Sequence, residues 1–90
     1  MAFSVVLQVT FDGQSRESGS KMLTELVIPH AKSQPGYVRS EWLNREDVDG
    51  IGVVTFDTED NAKAASKVLG PPPGGPTLQS VDVFEVWAEA

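Results

Sequence analysis

Apolar residues alternate with mostly polar ones at the start of the chain. From Phe3 to Phe11 every second residue is large and apolar, which is the period of a β-strand with one buried face. The pair at residues 12–13, Asp-Gly, ends this strand. Residues 15–20 are polar and predict a loop, and we expect a helix to begin around Ser18 or Ser20, since either side chain can act as its N-cap.

The period of the apolar residues then changes to that of a helix. Pro29 lies inside this helical pattern. Because proline lacks a backbone N–H and clashes with the preceding turn, we expect the helix to kink or restart there. Residues 34–36, Gln-Pro-Gly, end it. The apolar stripe of this helix comprises Met22, Leu23, Leu26, Val27, His30 and Ala31.

Two strands joined by a hairpin are predicted next. Residues 37–45 favour β structure but alternate imperfectly, as expected of a strand that carries a bulge or lies at an exposed edge. Residues 45–50 are acidic and turn-like, and Asp49-Gly50 within them is a hairpin signal. Residues 51–56 are nearly all apolar, which is typical of a central strand covered on both faces.

The C-terminal part predicts a second helix and a last strand. Asp57 or Thr58 caps the helix and Gly70 ends it. Its apolar stripe comprises Ala62, Ala65, Val68 and Leu69. The proline- and glycine-rich residues 71–76 predict a surface loop, and residues 81–87 predict the last strand.

The resulting order, β-α-β-β-α-β, is that of the α+β ferredoxin-like fold. It predicts a single domain, residues 1–90, with a four-stranded antiparallel sheet, both helices on one face and the first and third strands at the centre. Apolar residues such as Val6 belong to the opposite face. We expect that face to pair with a second copy, giving a homodimer through sheet faces, although a tolerated apolar surface is the alternative.

The charge balance and the missing residue types exclude several function classes. The net charge is −6 and the seven basic residues are scattered, so we expect no binding to nucleic acid or to a membrane. No cysteine is present and histidine occurs once, so we expect no metal site and no cofactor. The N-terminal residues do not form a signal peptide, which makes a cytoplasmic location the expectation.

Three stretches carry a resemblance to a known superfamily: residues 34–38, the pair Trp42-Leu43, and residues 50–60 followed by an alanine-rich helix. They resemble the dimeric α+β barrel superfamily, and within it the antibiotic-biosynthesis-monooxygenase-like domains. The resemblance implies a homodimer whose two sheets form a barrel, and a ligand cavity between helices and sheet in each subunit. Members include cofactor-independent oxygenases of aromatic polyketides and quinols, haem-degrading enzymes, isomerases and proteins of unknown role.

The haem-degrading members use an Asn, a Trp and a His in a set arrangement. In this sequence the first strand has no Asn, the second helix has no Trp, and the single His precedes the second strand. None of the haem-degrading roles is therefore assigned to this chain.

Five residues are candidates for chemistry. His30 is a candidate general base, because imidazole exchanges protons near neutral pH. Tyr37 is a candidate hydrogen-bond donor to a substrate. Trp42 could stack on a planar ligand, and Arg39 or Asn44 could orient an oxyanion.

Each candidate also has a purely structural alternative. His30 could cap helix carbonyls, Tyr37 and Trp42 could fill the core, and Arg39 and Asn44 could be solvated surface groups. Two functions therefore stay open. The first is a cofactor-independent monooxygenase that acts on hydrophobic phenols or quinols, and the second is a non-catalytic dimeric module for ligand binding or assembly.

Overall fold

Four antiparallel strands form one sheet in the computed structural model of the chain, which describes residues 2–13 and 15–90. The strands are β1 (Phe3–Thr10), β2 (Tyr37–Arg45), β3 (Asp49–Phe56) and β4 (Thr77–Glu85). Their order across the sheet is β2-β3-β1-β4, so the first and third strands lie at the centre as predicted. This order confirms the α+β ferredoxin-like fold class.

The core lies between the helices and one face of the sheet, which we call the inner face. Val5 and Val54 pair across the two central strands and are completely buried on this face. The helical layer contributes small residues such as Ala62, which allow close approach to the sheet. The buried core consists of Val5, Leu7, Ala31, Val54, Phe56, Ala62, Ala65 and Leu69. We call the opposite side of the sheet the outer face.

The first helix begins at Arg16, earlier than the predicted Ser18 or Ser20. Its first part is α1 (Arg16–Met22), and the Oγ of Ser15 accepts a hydrogen bond of 3.1 Å from the backbone N–H of Ser18. Ser15 is therefore the N-cap, and the polar residues that were expected to form a loop form the first helical turns.

The predicted interruption near Pro29 takes the form of a π-helical turn. This π segment (Leu23–Val27) is followed by α2 (Ile28–Lys32), and the backbone N–H of Ile28 donates to the carbonyl of Leu23, five residues back. Pro29 lies in the first turn of α2, where a missing N–H costs little. The helix therefore changes its hydrogen-bonding pattern immediately before the proline.

The hairpin turn lies within the predicted residues 45–50 but not at Asp49-Gly50. Glu46 and Asp47 have positive φ angles of 52° and 58°, whereas Asp49-Gly50 belongs to β3. The Oδ1 of Asn44 accepts a 2.9 Å hydrogen bond from the backbone N–H of Asp47 and stabilises this turn. The irregularity predicted for β2 is confirmed, because its register with β3 shifts between Tyr37 and Arg39 and β2 is an edge strand.

The bounds of the C-terminal elements differ from those predicted: α3 is shorter, and β4 begins at Thr77, before the predicted residue 81. The second helix, α3 (Glu59–Ser66), is capped by Thr58 as expected, but it ends before Gly70, and Val68 is exposed. β4 ends at Glu85, where its pairing with β1 reaches Phe3. Trp87 therefore lies beyond the strand. None of the helices formed by the described residues is long and apolar enough to cross a membrane.

Candidate functional site

A cavity of about 110 Å³ lies between the inner face of the sheet and the first helix. On the helix side it is lined by residues of the π segment and of α2, and the chain after α3 forms a further wall. Its lining consists of Leu7, Val9, Phe11, Leu23, Val27, His30, Trp42, Leu43, Gly50, Ile51, Gly52, Leu69, Gly70 and Pro71. Among these residues His30 alone is ionisable, so the cavity is apolar with one proton-exchanging group.

Two glycines of β3 form the floor of the cavity. Gly50 and Gly52 are two residues apart and therefore face the same side of the strand. A Cβ built on Gly52 would lie 2.5 Å from Cζ3 of Trp42, and one on Gly50 would lie 2.9 Å from Cζ of Phe11. The two aromatic rings thus occupy the space that side chains on these glycines would need.

A short hydrogen-bond chain holds Trp42 in place. Its indole Nε1 donates to the Oγ of Ser40 at 3.1 Å, and the same Oγ lies 2.9 Å from the hydroxyl of Tyr37. The ring of Tyr37 packs edge-on against Phe56, with 6.4 Å between ring centroids. Tyr37 is not among the lining residues, and its hydroxyl is linked to Trp42 through the Oγ of Ser40.

His30 links α2 to the chain that follows α3, beside the cavity. Its Nε2 lies 3.3 Å from the carbonyl oxygen of Val68. Because a carbonyl can only accept a hydrogen bond, this contact assigns a proton to Nε2 and leaves Nδ1 of the neutral ring as the acceptor. The arrangement provides one proton acceptor beside an otherwise apolar space.

Arg39 and Asn44 lie away from the cavity. Arg39 is on the outer face, where its guanidinium forms an ion pair of 2.6 Å with Glu89. The Nδ2 of Asn44 donates to Oδ1 of Asp47 at 3.1 Å within the hairpin. Of the five residues that the sequence singled out, the structure brings His30 and Trp42 together at the cavity and places Tyr37 behind Trp42.

The sequence reading missed the residues that shape the cavity. No role at the site was predicted for Gly50, Gly52, Ser40 or Phe11. Glycine at alternate positions of a strand was the available signal, because such glycines often mark the close approach of another group. Nothing in the sequence indicated which aromatic residue would approach.

The outer face carries an apolar centre with charged residues beside it. Val6 and Val53 are paired on the central strands and are half-buried. Their neighbours on the edge strands are Asp82 and Glu41. Further exposed apolar side chains on this face are Leu43, Ile51 and Phe84.

The C-terminal segment, residues 86–90, crosses one end of the outer face. The backbone N–H of Val86 donates to the carbonyl of Ala2 beside β4, whereas Glu89 reaches Arg39 on the far edge strand. Beneath this end, the hydroxyls of Ser4 and Thr55 lie 2.8 Å apart and are buried. The segment also carries Trp87, whose side chain is 91% exposed.

An ion pair in the hairpin lowers the pKa of an aspartate. The Nε of Arg45 donates to Oδ1 of Asp49 at 2.8 Å across the first rung between β2 and β3. This hydrogen bond holds the pKa of the Asp49 carboxyl below its ordinary value. Within residues 2–13 and 15–90, no three His, Asp or Glu side chains are grouped as metal ligands would be.

The fold is similar to that of a cofactor-independent oxygenase. No protein-family model and no curated protein matches the sequence. Among solved structures, a mutant of SnoaB, a cofactor-independent oxygenase from Streptomyces nogalater, superposes with a TM-score of 0.72 over 98% of this chain and 95% of that chain. The two sequences are 14% identical, so the similarity shows a shared fold alone.

Proposed function

We propose that the chain is a small homodimeric oxygenase that binds a hydrophobic phenol or quinol in the cavity and oxidises it with molecular oxygen. The observation that carries this proposal is the pairing of an apolar cavity with a single ionisable side chain in its lining, His30. The face of Trp42 offers a flat surface on which an aromatic ring can stack. The fold that the chain shares with SnoaB adds support.

In the proposed reaction His30 accepts the phenolic proton at Nδ1. The resulting phenolate is richer in electrons than the phenol and transfers them to O₂. One oxygen atom bonds to a ring carbon that carries hydrogen and becomes the second carbonyl of a quinone. The other oxygen atom leaves as water together with the two hydrogen atoms that the substrate loses. Electrons balance without a separate reductant, so this chemistry demands no cofactor.

The dimer in this proposal forms through the outer faces of two copies. An apolar centre with charged neighbours at its edges is the usual anatomy of a protein interface. A chain of 90 residues buries a small core, and pairing two sheets would add to it. The exposed Trp87 on the C-terminal segment would lie near this interface.

A non-catalytic ligand-binding module is the second candidate. It is favoured by the same lining, because His30 is the one ionisable side chain among the described residues that line the cavity. Such a module would bind a phenol and leave it unchanged.

Oxygen uptake separates the two candidates. The purified protein is mixed with 1-naphthol in an oxygen-electrode cell, and binding is measured separately by calorimetry. Uptake of one O₂ per quinone formed supports the oxygenase. Saturable binding without uptake overturns the oxygenase and supports the binding module.

A further inference from the structure

We infer that Gly52 determines the depth of the cavity and thereby restricts its occupant to a narrow, flat aromatic ring. This inference rests on the proposed function, because it specifies which hydrophobic phenols the cavity admits. It concerns a residue of β3 that has no polar group and contacts the indole of Trp42.

The contact between β3 and Trp42 leaves no space for a methyl group. A Cβ on Gly52 would lie 2.5 Å from Cζ3 and 2.7 Å from Cε3 of the indole, and 3.4 Å from Cδ1 of Leu7. Real carbon atoms do not approach at the first two distances, so the indole would have to move away from the strand. All three residues line the cavity, and the space into which the indole would move is therefore the space for the ligand.

The hydrogen bond to Ser40 fixes the other side of the indole. Since Nε1 donates to that hydroxyl at 3.1 Å, the ring cannot turn freely out of the way. Gly52 on one side and Ser40 on the other thus define the plane of the indole. The indole forms a wall of the cavity next to Gly52.

The volume indicates the size of ring that fits. A cavity of about 150 Å³ in another protein interior holds benzene. The present cavity of about 110 Å³ is of the same order and partly open, so in this proposal it accepts about one ring. The remainder of a bicyclic phenol extends through the opening, with its hydroxyl directed towards His30.

The test compares Gly52→Ala with Gly19→Ala by isothermal titration calorimetry under argon, with 1-naphthol and phenol as probes. Gly19 lies in α1 outside the cavity, and a Cβ there meets nothing within 4 Å. We expect Gly52→Ala to raise the Kd for 1-naphthol by about 10- to 200-fold, which is the range for one methylene group in an apolar pocket. We expect Gly19→Ala to leave the Kd unchanged.

A compensating change shows whether the indole transmits the effect. Trp42→Phe in the Gly52→Ala background replaces the indole by a smaller ring, and we expect it to restore most of the lost affinity. If Gly52→Ala does not fold, Trp42→Phe alone should lower the Kd ratio of 1-naphthol to phenol, because it deepens the cavity. An unchanged Kd in Gly52→Ala, a loss that Trp42→Phe does not restore, or an unchanged ratio in Trp42→Phe overturns the inference.

The outcomes also separate this inference from the proposed function. Wild-type protein that binds 1-naphthol with the expected Gly52 dependence but consumes no oxygen leaves the inference standing and overturns the oxygenase. Wild-type protein that binds neither probe overturns the inference.

Discussion

The Nε2 atom of His30 lies 3.3 Å from the carbonyl oxygen of Val68, so the proposed base also links α2 to the chain that follows α3. The contact gives the imidazole a fixed orientation, because the carbonyl holds the Nε2 proton. Nδ1 remains the acceptor for a substrate proton. One side chain therefore has a structural hydrogen bond and a chemical role at different ring atoms.

His30→Gln separates these two roles. The glutamine amide can still donate a hydrogen bond to Val68, but it cannot accept a phenolic proton as a base. We expect kcat for oxygen uptake to fall by about 10²- to 10⁴-fold, the usual contribution of a general base, and KM to change much less. An unchanged kcat would remove His30 from the mechanism. His30→Ala provides the comparison in which both roles are lost.

Ser40 is predicted to stabilise the position of Trp42. Ser40→Ala removes the acceptor of the indole N–H and the partner of the Tyr37 hydroxyl, and both groups are partly buried. We expect a loss of about 1–3 kcal/mol in the free energy of unfolding, measured by urea denaturation. Tyr37→Phe keeps the indole hydrogen bond and should cost less, about 0.5–1.5 kcal/mol. Equal losses in the two variants would contradict this account of the chain.

The proposed dimer is tested by a charge on the outer face. Phe84→Glu places a carboxylate on an exposed position of that face, where it would be buried on pairing. We expect light scattering to report a mass near the 9.7 kDa of one chain, against twice that mass for the wild type. Leu26→Glu is the control, since Leu26 is an exposed apolar residue of the π segment in the helical layer. A dimer that persists in Phe84→Glu, or a wild type that is monomeric, contradicts the proposed interface.

The ion pair of the hairpin gives a pH-dependent signal. Because Arg45 holds the pKa of Asp49 below its ordinary value, the pair stabilises the folded hairpin above the unfolded pKa of about 3.9. That stabilisation is lost as the pH falls through the lowered folded value. Arg45→Gln should therefore raise the pKa of Asp49, as followed by carboxyl NMR titration. A titration of Asp49 that is identical in the two proteins would show that the pair does not form in solution.

The order of the elements could be predicted because each strand and helix has its own local pattern. The alternation after Phe3 and the apolar residues of β3 specify the central strands, and Pro29 marks the change in the first helix. The boundaries that failed depended on single contacts. The helix starts at Arg16 because Ser15 caps it. The hairpin turns at Glu46 and Asp47, whose φ angles are positive, although a sequence such as Asp49-Gly50 adopts positive φ angles more readily.

The site was predictable only in part, because it depends on contacts between distant parts of the chain. His30 and Trp42 could be chosen for their side-chain chemistry alone. Their meeting at one cavity depends on the packing of the first helix over β2 and β3. The fit of Trp42 on Gly52 depends on strand register, which the imperfect alternation of β2 does not determine.

The most direct test of the proposed oxygenase is isotope incorporation with ¹⁸O₂. Wild-type protein and His30→Gln are incubated with 1-naphthol, and the quinone is examined by mass spectrometry. The account predicts one ¹⁸O atom per quinone with the wild type, the second ¹⁸O in water, and a rate reduced by about 10²- to 10⁴-fold with His30→Gln. Bound 1-naphthol that is recovered unchanged, or quinone that forms equally fast with both proteins, would contradict it.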